Sequence, residues 1–330
     1  MDITVEQAQS WGDYEKDWIK GMEHLHWFKE HRPFDYNREE EIEELRSDFN
    51  RPGNVFLAAR PEDSHEIMGV LGIKIRGEVG DLRRWEPAVS PKWRDYEVGE
   101  ALTEEGLSRL RVGGLKRATC KLKYPYDLPE TGLWHRSLYE KCGFVQKGPE
   151  GVQLLADLSR ETPPPSTTIK INILDCDAYS LEDLTRLVYG AFAATPEDKA
   201  IHGGNSTVSD PEEIPRVLES IMQSRYGPSP PDCRLVAQVG NRPAGLIMAF
   251  IPESRYRSPH GVIAPLGVLP EYRGRGIAYS LLMEVHGALR KHGCRYSYVG
   301  TPESNKGAIR LYEKAGYRPV FKVVDFERAI

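Results

Sequence analysis

The sequence predicts an α/β protein of the mixed α+β kind, in which one unit of mostly antiparallel sheet and flanking helices is built twice in tandem. Three observations predict it. First, "LYEKCGF" (138–144) recurs as "LYEKAGY" (311–317), with five of seven residues identical. Second, "VSPKWRDYEVGEALT" (89–103) shares its frame of Val, Pro, aromatic and Arg with "VLPEYRGRGIAYSLL" (268–282). The anchors keep their order at offsets of 179 (Pro91 to Pro270) and 173, so duplication of a whole domain accounts for them. Third, "ETPPPSTT" (161–168) cuts the chain nearly in half; three prolines followed by hydroxyl residues read as a semi-rigid linker. The expected domains are 1–162 and 169–330, joined by a linker at 163–168.

The second half sets the order of elements. "IKINIL" (169–174) alternates β-branched and polar residues as a strand does. "SLEDLTRLVYGAF" (180–192) is a helix, with Ser180 as N-cap and Asp183 three residues on. "DPEEIPRVLESIMQS" (210–224) is a second helix. "CRLVAQVG" and "AGLIMAFIP" form a hairpin about "NRP" (241–243). "GVIAPLGVL" (261–269) is a further strand. A helix over 275–291, a strand "YSYVGTP" (296–302), a helix over 305–315 and a strand near 319–326 complete the unit. The first half repeats this order more loosely, with strands near 55–60, 67–76, 80–89 and 118–124. Its acidic run "REEEIEELRSDF" (38–49) has the helical spacing of a solvated face.

Composition narrows the function classes. The 330 residues are 40% hydrophobic and 28% charged, as in a soluble globular protein with enough chain for two cores. Net charge is −5, with the deficit in the first half, where residues 1–160 carry 24 basic and 30 acidic side chains; nucleic acid is not the expected partner. No apolar run is long enough to span a membrane, and none is expected. The five cysteines (Cys120, Cys142, Cys176, Cys233, Cys294) form no CxxC pair, which with the absence of a secretory pattern places the chain in a reducing, cytoplasmic setting. The nine histidines lack metal-ligand spacing, so no metal is expected.

"YRGRGIA" (272–278) carries the chemistry. A strand ends, Gly274 and Gly276 turn the chain without side chains, and a helix begins. The first N–H groups of a helix have no partner within it, and its dipole adds positive charge there. Glycines let a phosphate approach the backbone, and Arg273 and Arg275 add fork-shaped donors. This predicts a pyrophosphate cradle. It is neither a P-loop, lacking Gly-Lys-Ser/Thr, nor a Rossmann fingerprint, lacking the third glycine and the ribose-binding acid. Downstream, "NKGAIRLYEKAGY" (305–317) places Asn305, Ala308 and Tyr312 on one helix face: an amide, a gap and a phenol.

Together these motifs resemble the GNAT superfamily of acyl-CoA-dependent acyltransferases. Its signature, Gln/Arg-x-x-Gly-x-Gly/Ala after the fourth strand, corresponds here to Arg273, Gly274, Arg275, Gly276, Ile277 and Ala278. The resemblance covers 169–330 well and 1–160 more loosely. It implies that the amides of Gly274–Tyr279 hold the pyrophosphate of acetyl-CoA, that the strand of Leu266 and Val268 pairs with the pantetheine arm, and that Asn305 and Ala308 also bind the cofactor. It implies that the fourth and fifth strands splay apart, so that Pro265, a poor fit for a central strand, breaks no ladder bond. The implied reaction is transfer of an acetyl group to the amine of a small molecule or peptide. Tyr312 is then the general acid for the thiolate, Asn305 a ligand of the pantetheine or acceptor side, and a backbone N–H near Val268 the polariser of the thioester carbonyl. Glu303, Glu253 and His260 are the candidate bases, with a water chain, or an amine that arrives already deprotonated, as the alternatives. The tandem architecture is similar to that of mycothiol synthase-like proteins, although no motif marks that acceptor. The rival reading is a non-catalytic acyl-CoA-binding or scaffolding protein, as a monomer or a homodimer.

The first half departs from this pattern. Glu97 replaces Gly276, Gly132 replaces Asn305, His135 replaces Ala308 and Pro87 replaces Leu266, while Arg94, Gly99 and Tyr139 persist. A carboxylate where the phosphate should lie predicts that, unless Glu97 turns outward, this copy does not bind acetyl-CoA in the usual way. All six tryptophans (Trp11, Trp18, Trp27, Trp85, Trp93, Trp134) lie in this half, as buried core or as an aromatic wall for a ligand.

Overall fold

The computed structural model describes residues 2–22, 38–82, 86–203, 206–252 and 259–330. Two compact units are present, Met1–Lys147 with Phe321–Ile330, and Gly148–Val320. This corrects the expected division at 162 and 169. Each copy is closed by a strand that the other copy's stretch of sequence supplies.

The first unit contains β1 (Ile3–Gln7), α1 (Trp11–Met22), α2 (Arg38–Phe49), β2 (Val55–Pro61), β3 (Gly69–Arg76), β4 (Val79–Asp81), β5 (Ala88–Val89), α3 (Val98–Val112), β6 (Arg117–Pro125), α4 (Leu133–Lys141) and β7 (Val145–Gln146). The acidic helix spans the predicted residues, 38–49. The strand expected over 80–89 is split. β4 runs parallel to β6, while β5 pairs antiparallel with β3. The sheet is completed by residues 321–329, which lie antiparallel to β6 from Phe321↔Pro125 to Ala329↔Arg117. Val324 and Phe326 are buried there against Leu122, Leu138 and Tyr139. A piece ending at residue 162 would lack this strand and leave an apolar edge uncovered.

The second unit begins with β8 (Gly151–Asp157) and continues with β9 (Asn172–Asp175), α5 (Leu181–Phe192), α6 (Pro196–His202), α7 (Ser206–Ser209), α8 (Glu213–Met222), β10 (Arg234–Val239), β11 (Arg242–Phe250), β12 (His260–Val268), α9 (Ile277–Lys291), β13 (Tyr296–Pro302), α10 (Lys306–Lys314) and β14 (Tyr317–Ala329), whose last nine residues are those just placed in the first unit. Its sheet order is β8-β13-β12-β11-β10-β9. All pairs are antiparallel except β12 with β13. α9 packs its buried face, Leu281, Leu282, Val285 and Leu289, into a core with Ile247, Ile263 and Val299. The predicted Ser180 cap is present, its hydroxyl accepting from Asp183 N–H at 3.1 Å.

Two features of this sheet shape the site. β12 pairs with β13 only over His260–Ile263, opposite Tyr296–Val299. Beyond that point Gly300–Pro302 pair with β8 on their other side. β12 and β13, the fourth and fifth strands counted from β9, therefore splay, as expected. The register between β11 and β12 also slips, with Ile247 opposite Leu266 but Ala249 opposite Ile263. β12 thus carries one extra residue at Ala264–Pro265, a β-bulge that frees local backbone groups and bends the strand. Pro265 falls where no ladder needs its missing N–H. No helix among the described residues is long and apolar enough to cross a membrane, and all five cysteines are buried free thiols.

Candidate active site

From the splay, β12 leads through a short turn into α9. Gly274 and Gly276 both have left-handed backbone, φ +74° and +85°, a conformation that glycine adopts without steric penalty. α5, α6 and α10 are capped by Ser180, Thr195 and Asn305, each of which accepts a backbone N–H of the first turn. α9 starts at Gly276 with no side-chain cap. Among the described residues no acceptor meets the N–H groups of Gly276, Ile277, Ala278 and Tyr279. Four donors and the positive end of a fifteen-residue helix therefore face one spot. Arg275 is exposed beside it, its guanidinium 5.9 Å from the centre of the Tyr272 ring.

Arg273 is placed otherwise than expected. Its Nε donates to Val268 O at 3.1 Å, and its Nη2 to Ala191 O at 2.9 Å and to Asp198 at 3.0 Å. The side chain fastens the glycine turn to the end of β12, to α5 and to α6. The equivalent Arg94 donates Nε to Val89 O at 3.2 Å, so this latch is common to both copies. Burial by itself would raise the Asp198 carboxyl, but the hydrogen bonds from Arg273 and Thr195 prevail and hold it below the usual carboxylate range.

On the far side of the splay, Asn305 is the N-cap of α10, its Oδ1 accepting from Ala308 N–H at 3.1 Å. Its Nδ2 lies 3.4 Å from Nε2 of His202, a residue that sequence reasoning missed. His202 ends α6, and only the fold brings it to Asn305. Burial keeps its imidazole below the usual range, against the pull of Asp198. Ala308 packs against the core beside Tyr312. Tyr312 is 5% exposed, and burial raises its phenol far above 10, so it is neutral at pH 7. Its ring lies 5.4 Å from that of Tyr317. The Tyr317 hydroxyl is engaged by His286 and Ser297, whereas no hydrogen bond of the Tyr312 hydroxyl is seen among the described residues.

The candidate bases fare unequally. His260 begins β12, five residues before Pro265, roughly 16 Å along an extended strand. Glu253 lies outside the described residues. Glu303 is half-buried just past β13, its N–H donating to Glu150 O at 2.9 Å. The fold also gathers Asp232, Cys233 and His292, whose potential donor atoms lie within 4.8 Å of one another. His292 already meets Asp232 at 2.9 Å, and burial pushes the Cys233 thiol up to about 12.

The matching region of the first copy is built shut. His135 Nε2 lies 2.7 Å from Pro87 O. Burial depresses this imidazole to about 4, so it is neutral and Nε2–H is the donor. The Tyr139 hydroxyl points at the buried Glu86 carboxyl at 3.4 Å, and burial raises Glu86 to about 8. Glu97 takes the same left-handed backbone as Gly276, φ +58°. Around it, a cleft of about 290 Å³ is lined by Arg94, Asp95, Glu97, Glu100, Trp134 and Lys141, among others. Arg94 is held by Val89 O and lies over the Trp134 ring at 5.1 Å, and Lys141 is paired with Glu100 at 3.0 Å. Trp11 and Trp18 belong instead to a buried cluster with Tyr14 and Phe56; Trp27 and Trp85 lie outside the described residues.

Glu86 sets a pH dependence. Its folded pKa lies above the unfolded value, so its neutral form stabilises the fold; that contribution is complete below about 4.5 and is lost as pH rises toward about 8. His135 acts oppositely, losing stability as pH falls from about 6.5 toward about 4. Calorimetry of Glu86→Gln should show a smaller fall in Tm between pH 6 and 9 than in the parent protein, by up to a few kcal/mol of stability at the alkaline end. Parallel curves for the two proteins would contradict the buried neutral acid.

The family comparison falls on the same region. Residues 205–317 match the profile of the acetyltransferase (GNAT) family. The matched stretch lies within the second unit. An acetyltransferase of Pectobacterium atrosepticum is 36% identical over 90 residues, 27% of this chain and 60% of that protein. One of Photorhabdus laumondii is 38% identical over 87 residues, 26% of this chain and 57% of that protein. The chain thus spans about 60% of the length of the curated relatives it matches. Two solved structures follow it nearly end to end. A GCN5-related N-acetyltransferase from Sphaerobacter thermophilus has a TM-score of 0.61 at 18% identity, covering 99% of this chain and 95% of its own. A tandem GNAT protein from the clavulanic acid biosynthesis pathway has a TM-score of 0.54 at 14% identity, covering 99% and 98%. Their identities speak to fold alone, and the likeness of fold extends over both units of this chain.

Proposed function

We propose that this GNAT protein transfers an acetyl group from acetyl-CoA to the amine of a small molecule or peptide, at one working site in the second unit. The observation that carries this reading is the continuity of the bulged, splayed end of β12 with an uncapped helix start that presents four unpartnered amides. The amides and Arg275 take the pyrophosphate; the open edge of Leu266–Val268 pairs with the pantetheine arm, with Ala308 and Asn305 on the other wall. The amine nitrogen attacks the thioester carbon, the C–S bond breaks, and the departing sulfur takes the proton of the Tyr312 hydroxyl. Backbone N–H groups at the bulge stabilise the oxyanion. Glu303 takes the proton that the amine loses. Positioning two substrates in the splay supplies much of the rate.

The first copy supports this asymmetry. His135 already occupies the Pro87 carbonyl that a pantetheine amide would use, and Glu97 stands at its helix start. CoA release from acetyl-CoA, followed by thiol detection across a panel of primary amines, tests the reading. Amine-dependent turnover supports it; saturable acetyl-CoA binding without turnover on any amine would favour a carrier-binding protein instead.

A further inference from the structure

The proline-rich connection reads in sequence as a spacer between domains, yet in the second unit it runs across the first turn of α9. Four contacts fix its course. Thr162 Oγ1 lies 3.2 Å from Met283 Sδ, and the Tyr279 hydroxyl donates to Pro163 O at 2.6 Å. Thr168 N–H donates to Arg275 O at 3.2 Å. The Ser166 carbonyl stands so close to Gly276 that a Cβ there would come within 2.2 Å of its oxygen. Three successive prolines, each with its φ fixed by the ring, stiffen the span between these ties.

These contacts touch one side of the turn. They engage the Arg275 carbonyl and the Gly276 Cα, and none takes an amide of residues 276–279. A Cβ at Gly274, by contrast, would meet nothing within 4 Å. Glycine at 276 is therefore demanded by the linker as well as by its backbone angle, while the approach at Gly274 stays open. A turn with two left-handed glycines has much freedom to lose on binding unless something holds it.

We propose that residues 162–168 are a positioning strut for the phosphate cradle, fixing the turn at 274–276 before acetyl-CoA arrives so that its donors are already aimed. The proposal rests on reading the start of α9 as the acetyl-CoA phosphate site. Donors ordered in advance lose no freedom on binding, so the strut acts on affinity for the phosphate-bearing part of the ligand.

The test uses the full-length protein with Pro163, Pro164 and Pro165 replaced together by Gly-Ser-Gly, and separately Thr168→Pro, which removes the N–H that Arg275 O accepts. In ligand-free protein, exchange of the Ser280 amide, which donates to Gly276 O at 3.0 Å, should quicken about tenfold or more, with exchange in the middle of α9 unchanged; unaltered exchange at Ser280 overturns the strut. The acetyl-CoA dissociation constant should rise about tenfold, with kcat at saturation within about twofold. Acetylpantetheine, which lacks the pyrophosphate, should keep its KM within about twofold. Equal losses for both ligands would mean general damage, and tighter acetyl-CoA binding would mean that the linker shields the cradle; either outcome overturns the proposal. Faster exchange in a protein whose parent form binds no acetyl-CoA would uphold the strut and remove the phosphate-site reading instead.

Discussion

Replacing Tyr312 by phenylalanine lowers kcat on the order of a hundredfold or more, with little change in acetyl-CoA affinity. The reason is that this phenol holds a proton it can give to the departing thiolate. Its pKa is pushed far above 10, so the proton stays on the oxygen at every pH at which the protein would be assayed. Burial is the only influence on it and no hydrogen bond of its hydroxyl is seen among the described residues, so the O–H can donate to a departing sulfur. Tyr317 does not share this property, since His286 at 2.8 Å and Ser297 at 2.6 Å hold its hydroxyl inside the core. Tyr317→Phe should therefore affect stability more than turnover. Phenylalanine at 312 keeps the ring and its packing, so the comparison isolates one O–H. Steady-state kinetics with the best amine of the panel, alongside acetyl-CoA titration, provide the check; unchanged kcat would remove Tyr312 as the acid and leave the transferase class standing.

The second large effect concerns the glycine that the two copies do not share. Gly276→Glu should abolish measurable acetyl-CoA binding. A carboxylate about 4 Å from a phosphate oxygen is repelled by roughly 4 kcal/mol at an effective dielectric near 20, while a helix N-terminus contributes about 0.3–2 kcal/mol of attraction. Steric conflict adds to this, because a Cβ at 276 meets the Ser166 carbonyl. Gly276→Ala separates the two effects by introducing the contact without the charge, and should weaken binding less. The converse change, Glu97→Gly, should not confer binding on the first copy, because His135 Nε2–H still covers the Pro87 carbonyl and Tyr139 still faces Glu86. Calorimetric titration of the three variants decides it. Micromolar affinity in Gly276→Glu would show that the carrier binds elsewhere.

Much of this protein was legible before its structure. The duplication followed from two motifs at near-constant offset, because a repeated fold needs the same turn and the same helix face twice. Ser180 as a cap, the strand over 296–302 and the acidic helix over 38–49 followed from local rules, since capping and periodicity depend on neighbours a few residues away. The glycine turn and the Asn305–Ala308–Tyr312 face are local in the same sense. Tertiary structure decided what depends on distant partners. It closed each copy with a strand from beyond its expected boundary, since strand pairing reads edges and not sequence order. It turned Arg273 from a presumed phosphate ligand into a latch on Val268, Ala191 and Asp198, and brought His202 to Asn305 across a hundred residues. It laid the proline linker on Gly276. A sequence specifies which groups can bond; only the packed chain decides which of many equivalent carbonyls and carboxylates each arginine, histidine or glycine actually meets.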